Sequence, residues 1–515
     1  AKSLFLNRLS QTEKNLKYIK YLLVFLLATG FVACSEDEGA QILGSLYEKV
    51  DITPEPGMNL VGRVTDGTGP IEGVVVSDGV TVTTTDAQGI YQMRVKRNAP
   101  FVFVSVPAEY EIPVENGMPK IYKKIAMGDN DVVQRSFKLE RTGKKERFTL
   151  LALADVQIGR DDEVTMLDEE VLPLLIPYVQ QELETPVYGI SLGDLVWDNM
   201  PFHEVYKQRI RKIGVPVFQV IGNHDHDKAI TVDADADASF EAAFGPTYYS
   251  YNIGDCHFIV LDDVLYTGSS SYTADITDEQ MAWLEQDLKY VPKDKLIIIG
   301  LHIATSRRNR PSNHVADYKE LYALLDGYNV RILSGHSHNN YTTTISETIE
   351  ENTLGAVMGA YWNGEELCND GSPRGYAVYE IEGNRIRNWY YKGTAFPREY
   401  QMYLYGPGEA VSEEYRDGLI LNIFNWHTTW TVEVQEDNAG WVTLPSDSNL
   451  RYEMDRRAYD FMFGDTKPEH RPTAEPEANN DHMFYYKPAS ESWGTVTVRA
   501  SDPYGNVYTE SIRNE

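Results

Sequence analysis

Residues 215–227, VPVFQVIGNHDHD, constrain this chain more than any other stretch. The apolar half, 215–221, has the length and residue types of a strand buried on both faces. The run stops at Gly222, and Asn223, His224 and Asp225 follow. Four other apolar runs end in the same way. Residues 148–154 end at Asp155, with Gln157 close behind. Residues 187–192 end at Gly193 and Asp194. Residues 296–301 end at His302, and residues 330–334 end at Gly335, His336, Ser337 and His338. Each run delivers a metal-ligand type of side chain just past its end. In open α/β sheets, sites form in the crevice outside the carboxyl ends of the strands. Five such endings therefore predict one site built from five loops.

Helical periodicity fills the gaps between these runs, at 162–182, 203–212, 277–290 and 318–325. Thr277 and Gln280 match a capping box at the start of the third. Strands alternating with helices imply a sheet with crossover connections. The aromatic segment 244–250 leads into a strand at 256–262 and is expected to pack under the loops.

Residues 51–143 read differently. Short β-rich runs at 61–65, 74–77, 80–85, 91–95 and 101–106 are separated by turns at Asp66-Gly67, Asp78-Gly79 and 86–89, a spacing that suits a small sandwich. Gly62-Arg63-Val64, Gly73-Val74, Thr85-Asp86 and Gly89-Ile90-Tyr91 resemble carboxypeptidase-regulatory-like, transthyretin-type domains. No catalytic constellation is legible there, and a packing or spacing role is the expectation. After His338 the pattern is β-rich again. Runs at 356–361, 376–381 and 386–391 are expected to complete the sheets of a catalytic domain spanning 144–393. A third, β-rich region is expected over 394–515, with strands at 419–424, 430–434 and 495–500 and a long loop at 461–480.

Charge narrows the partners. The formal net charge is −30. Residues 1–33 hold five basic residues and one acid, so without them 42 basic residues face 76 acidic ones. Such a surface repels polyanions, which argues against nucleic-acid binding, and an anionic substrate would need a locally positive site, which bound metal can supply. At the N-terminus, Lys14, Lys17 and Lys20 precede an apolar run at 21–27 that is too short to span a membrane and fits a cleaved signal over 1–33. Phe31-Val32-Ala33-Cys34 resembles the lipobox of bacterial lipoproteins. This implies a lipid anchor on Cys34, a tether over 34–50 and a place in the bacterial cell envelope, periplasmic or at the surface, attached to a membrane without crossing it. Cys256 and Cys368 are too few for a disulfide framework.

Taken in order, Asp155-Val156-Gln157, 193–198 (GDLVWD), Gly222-Asn223-His224-Asp225, His302 and Gly335-His336-Ser337-His338 resemble the calcineurin-like metallophosphoesterases. The resemblance extends to a bacterial secreted group with a β module before the catalytic domain and a β-rich region after it. It implies an α/β (α+β) fold, a four-layer αββα sandwich flanked by an N-terminal transthyretin-like β-sandwich and a C-terminal β-rich domain. It also implies a hydrolase acting on phosphate esters, mono- or di-, of a small molecule, lipid or glycan. The donor types themselves, imidazole, carboxylate and amide oxygen without thiolate, suit Mn, Fe or Zn. By resemblance, two such divalent or trivalent ions are expected. Asp155, Gln157 and His338 would hold one, Asn223, His302 and His336 the other. Asp194, after its tight Gly turn, would bridge them with a hydroxide between. His224 would stay unligated and give a proton to the leaving alcohol.

Two positions depart from the family pattern. Gln157 stands where most members have His, and an amide oxygen ligates more weakly. Trp197 stands where the carboxylate orienting His224 is expected, which leaves Asp198, one residue later, as the candidate for that role. Asp225, His226 and Asp227 are expected to support the loop around His224. Asp233, Asp235 and Asp237 are spaced like the opening of a calcium loop, but Ala238 replaces the required glycine, and a solvated acidic segment is the expectation. Arg307, Arg308 and Arg310 fit either a substrate contact or a solvent-facing loop. His203, His257, His314, His427, His470 and His482 read as structural, as lone histidines usually are. Trp362, Trp426 and Trp493 read as core rather than as a glycan- or lipid-binding face. The rival to an enzyme is a non-catalytic glycan- or ligand-binding surface lipoprotein on a decayed scaffold, favoured only by Gln157.

Overall fold

The five apolar runs all form strands, Arg147–Leu153, Val187–Leu192, Val217–Val220, Leu296–Gly300 and Asn329–Ser334. A computed structural model describes residues 52–268, 271–306, 314–362, 366–450, 452–464 and 476–514. The expected signal segment, Cys34, the tether, Arg307, Arg308, Arg310 and His470 lie outside the described residues.

The strands sort into two sheets. The first has five strands, in the order Val217–Val220, Val187–Leu192, Arg147–Leu153, Gly375–Glu382, Arg385–Gly393. Its first three strands run parallel, and the last two add an antiparallel hairpin. The second has six, in the order Tyr249–Ile253, Cys256–Val260, Leu296–Gly300, Asn329–Ser334, Ile349–Thr353, Tyr341–Thr344. Its four central strands are parallel and both edges antiparallel. Successive side chains of a strand face opposite ways. Leu150, Ala152, Ile190 and Phe218 accordingly meet Tyr251, Phe258 and Ile298 of the facing sheet, whereas Leu151, Leu153 and Val217 pack on the outer helices through Val164, Leu172, Tyr206 and Ile210. Phe218 stacks on Tyr251 at 3.6 Å, flat across the sheet interface. Trp283, Leu284 and Leu321 cover the far side of the second sheet. The result is helix, sheet, sheet, helix, the four-layer sandwich.

The β module forms two four-stranded sheets and a two-stranded one and shares one core with the following sandwich. Phe103 meets Trp283 edge-on at 6.1 Å, Ser105 and Ser250 exchange a 3.2 Å hydrogen bond, and the Tyr248 hydroxyl donates to the Gly79 carbonyl at 2.9 Å. Tyr249 instead donates its hydroxyl to the Gln219 carbonyl, beneath the strand that ends in the GNHD loop. At the other end, a three-stranded sheet (Met402–Tyr405, Leu419–Ile423, Met483–Tyr486) and a four-stranded one (Thr431–Glu436, Val442–Leu444, Thr495–Ser501, Val507–Arg513) pack on each other through Trp426, Trp430 and Trp493. These tryptophans and Trp362 are buried, as core residues should be.

Four local expectations need correction. Residues 356–361 are not a strand. They turn at Gly359, φ +76°, after Val357 N–H has donated to the Ala154 carbonyl, and their apolar character reflects burial rather than pairing. Within the long loop expected at 461–480, residues 461–463 instead end a helix, Arg456–Phe463, with Asp455 as its cap and Phe461 and Met462 buried, and residues 465–475 lie outside the described residues. At Thr277 the cap accepts from Gln280 N–H, but the Gln280 side chain does not close the box. It bonds both the N–H and the carbonyl of Asp262 instead. Asp233 and Asp237, finally, are not solvated. Asp237 is buried and Asp233 half-buried, and only Asp235 is exposed.

Candidate metal centre

The carboxyl ends of the five strands bring Asp155, Gln157, Asp194, Asn223, His302, His336 and His338 into one buried cluster. Asp194 lies at its middle. It accepts His224 N–H at 2.9 Å and the Gln157 Nε2 amide at 2.6 Å, and its Oδ1 lies 3.3 Å from His302 Nε2. His302 Nε2 also faces the Asn223 amide oxygen at 3.0 Å and His336 Nδ1 at 3.2 Å. Asp155 accepts His336 N–H at 2.9 Å and lies 3.4 Å from His338 Nε2. Ligand atoms of Asp194, His302 and His336 all fall within 4.8 Å of one another.

The backbone is bent hard to achieve this. Asp155, Gln157, Asp194, Asp198, His336 and His338 all have φ between +45° and +66°. Each left-handed non-glycine residue costs of order 1–3 kcal/mol and persists only where its surroundings over-determine it. Close approach explains the flanking glycines. A Cβ on Gly193 would sit 2.5 Å from His302 Nδ1, and one on Gly335 would sit 2.5 Å from an Asp155 carboxylate oxygen.

Electrostatics organise the cluster further. His302 donates Nδ1–H to the Leu192 carbonyl at 2.8 Å, so whichever positive charge answers Asp194, proton or metal ion, must enter at Nε2. Burial disfavours a charged His302 ring, but the Asp194 carboxylate overrides it and lifts the pKa to about 10. Burial and then the charge of His302 push His336 down to about 3. Burial also works against Asp194, yet His302 and His224 hold its carboxyl well below the usual range.

His224 stands at the rim without joining the cluster. Its Nδ1–H donates to Asp198 at 3.0 Å, and its ring stacks on Trp197 at 4.4 Å between centroids. Lys228 closes on the other Asp198 oxygen. Asp225 accepts from Leu195, Val196 and Gly222 N–H groups and so ties two ligand loops together. Asp263, unremarked in the sequence, holds His302 by accepting from its N–H and that of Ile303. Its signal was available, since Asp262-Asp263 follows the apolar strand Cys256–Val260 as the ligands follow theirs. Three further histidines make structural bonds: His257 bonds Asp287 at 2.8 Å, His482 bonds Asp370 at 3.1 Å and His427 bonds Thr344 at 2.9 Å.

Three successive family models match the chain: the N terminal of calcineurin-like phosphoesterase over residues 58–142, calcineurin-like phosphoesterase over 148–340, and the C terminal of calcineurin-like phosphoesterase over 351–508. The chain belongs to the calcineurin-like phosphoesterase family. Calcineurin-like phosphoesterases are hydrolases, and this chain is one, with metal-dependent hydrolysis of phosphoesters as its chemistry. Among solved structures it is similar to a dimetal phosphatase from Danio rerio (14% identity, 46% of this chain and 94% of that one, TM-score 0.34). It is also similar to GAP50, the anchor in the inner membrane complex of Plasmodium (15%, 49% and 86%, TM-score 0.33), and to a 5'-nucleotidase from Candida albicans (13%, 49% and 53%, TM-score 0.31). No curated protein matches it.

The donor set fits the metal ions that the family implies. The Gln157 amide donates its nitrogen to Asp194 and leaves Oε1 buried without a hydrogen-bond partner, a costly state for a polar atom unless something positive sits against it. The facing imidazoles of His302 and His336, with two carboxylates beside them, make the same demand.

Proposed function

We propose that this phosphoesterase hydrolyses phosphate esters of small molecules at a dinuclear centre, outside the cytoplasm, anchored through Cys34. Asp155, Gln157 and His338 would hold one ion, Asn223, His302 and His336 the other, and Asp194 both. The observation that carries this reading is the convergence of these seven side chains with the unpartnered Gln157 oxygen among them. When bound, the ions supply Lewis-acid neutralisation of the phosphate oxygens and a nucleophile at neutral pH.

The chain's own residues do the rest. Asp263 and the Leu192 carbonyl fix His302 in one orientation, so its Nε2 is preset. Asp225 holds the Asp194 and Asn223 loops at a fixed separation. His224, held by Asp198 and backed by Trp197, presents Nε2 at the rim and donates its proton to the departing alkoxide oxygen. Asp198 stabilises the imidazolium before transfer and Lys228 limits the carboxylate's own motion. The hydroxyl of a further aromatic, Tyr272, lies 3.4 Å from His336 Nε2.

The decisive experiment is metal content by mass spectrometry on the purified chain, followed by a screen of phosphomonoesters and phosphodiesters. About two equivalents bound at the cluster, with hydrolysis lost in Asp194→Asn, supports the reading. Fewer than two, with no ester hydrolysed, favours a binding protein on a decayed scaffold.

A further inference from the structure

A second group of ligand-type side chains lies outside this cluster and shares no residue with it. His226 Nε2 and carboxylate oxygens of Asp233 and Asp237 all fall within 4.8 Å of one another. Metal–nitrogen and metal–carboxylate bonds of about 2.0–2.2 Å set three ligand atoms roughly 3–4 Å apart, so the wider of these separations needs to close by up to about 1 Å for the three to share one ion.

Acidic residues alone would not identify a site, but His226 supplies a separate observation. Its ring is fully buried, 0% exposed. Nδ1–H donates to the Gly222 carbonyl at 2.9 Å, which leaves Nε2 as the lone-pair nitrogen of the neutral ring. That nitrogen and Asp237 Oδ1, 3.2 Å away, have no partner other than each other. Two buried acceptors therefore face each other, a repulsive arrangement unless a positive charge joins them. Tyr266 stacks flat on the ring at 5.0 Å and blocks it from turning aside.

The local fold explains the convergence. Asp233–Ala236 is one helical turn, and Asp237 N–H donates back to the Asp233 carbonyl. Residues four apart share a helix face, so Asp233 and Asp237 point together while Asp235 is left in solvent. The spacing that resembles a calcium loop is thus read by a helix rather than by a loop. Asp262, also buried, bears on the same point. Burial and the nearby Asp237 charge drive its carboxyl well above the usual range. Burial lowers the His226 pKa and its acidic neighbours override it, raising the value to about 9. Among the described residues no lysine or arginine pairs with Asp233, Asp237 or Asp262, so protons hold the group together until a cation displaces them.

We propose that His226, Asp233 and Asp237 bind a divalent transition-metal ion, a site additional to the one described above. One imidazole with two carboxylates suits Zn²⁺ or Mn²⁺ rather than Ca²⁺ or Mg²⁺, whose ligands are oxygens only. The ion would pin the loop that carries Asn223 and His224 onto the helices that follow it, because His226 is bonded to Gly222 and Asp227 N–H donates to the Ala236 carbonyl. Its role is structural, and it touches no substrate.

Equilibrium dialysis of the full chain against Mn²⁺ or Zn²⁺ tests this. The Asp233→Asn, Asp237→Asn double variant should hold one equivalent less than the unaltered chain, whatever the occupancy of the Asp194 cluster. Equal content in the two proteins overturns the proposal. If the double variant does not fold, crystals of the unaltered chain soaked in the same metal decide. An anomalous peak about 2.0–2.2 Å from His226 Nε2 is expected, and none there overturns it.

Discussion

His224 and Asp198 illustrate what single side chains contribute at the rim. General acid catalysis is worth about 10²–10⁴-fold, and its value depends on how badly the leaving group needs a proton. His224→Ala should therefore slow alkyl phosphate esters by that range and nitrophenyl esters far less, with metal content unchanged. Equal losses for both would remove His224 from the acid role. Asp198→Asn keeps the shape but weakens the hold on His224 Nδ1, and the expected loss is about 10–100-fold by analogy with other orienting partners. The candidate ligands stand out in the sequence because each follows an apolar run within four residues. Their supports were legible only in part, since Asp263 carries the same strand-end signal but nothing local names its partner. Asp263 binds a backbone 39 residues away, and Trp197 stacks on a ring that only the folded loops bring beside it. Asp233 and Asp237 were misjudged for a related reason, since a spacing of four means one thing on a loop and another on a helix.

Strands carry the same lesson at the next scale. The parallel runs were legible because burial on both faces leaves no alternation to misread. The segment 356–361 failed because apolar content records burial, and a buried turn has as much of it as a strand. The layer between the two sheets is where element stability concentrates. Phe218 fills it and stacks on Tyr251, so Phe218→Ala should cost about 3–5 kcal/mol, read as a lower denaturant midpoint for the catalytic body. A cost below 1 kcal/mol would mean that the sheets close over the gap. Helix 278–287 is tied to the second sheet by Gln280, whose side chain holds both backbone groups of Asp262. Gln280→Ala should leave these two buried groups unpaired and destabilise the protein by about 1–3 kcal/mol, measured in the same unfolding assay.

Across the whole molecule, the C-terminal region is joined to the catalytic body by buried polar contacts, which makes the junction pH-sensitive. Burial alone would lower the His482 pKa, and its hydrogen bond and ion pair with Asp370 more than offset that, so the ring titrates above its ordinary value. Burial raises Asp370, and His482 with other donors brings its carboxyl below the ordinary value. The histidine's contribution is complete below its unfolded pKa, about 6.5, and is lost as pH rises through the higher folded one. The aspartate's is complete above about 3.9 and is lost as pH falls through its lower folded one. The pair thus supports the junction most between about pH 4 and 6.5. His482→Gln should cost several kcal/mol there, about 3–5 for a broken buried pair, and should flatten the decline in melting temperature above pH 6.5. An unchanged pH profile would sink this assignment. The same junction reaches the residues just past His338. Asn339 donates its amide to Glu477 at 2.8 Å, Asn340 N–H donates to Asp370 at 2.6 Å, and the Asn340 amide donates to the Phe424 carbonyl at 2.9 Å. A version of this hydrolase cut short after the second sheet should therefore lose activity, because the distal region acts as a splint on the last candidate ligand loop, and a protease that nicks it should disarm the enzyme without touching that loop.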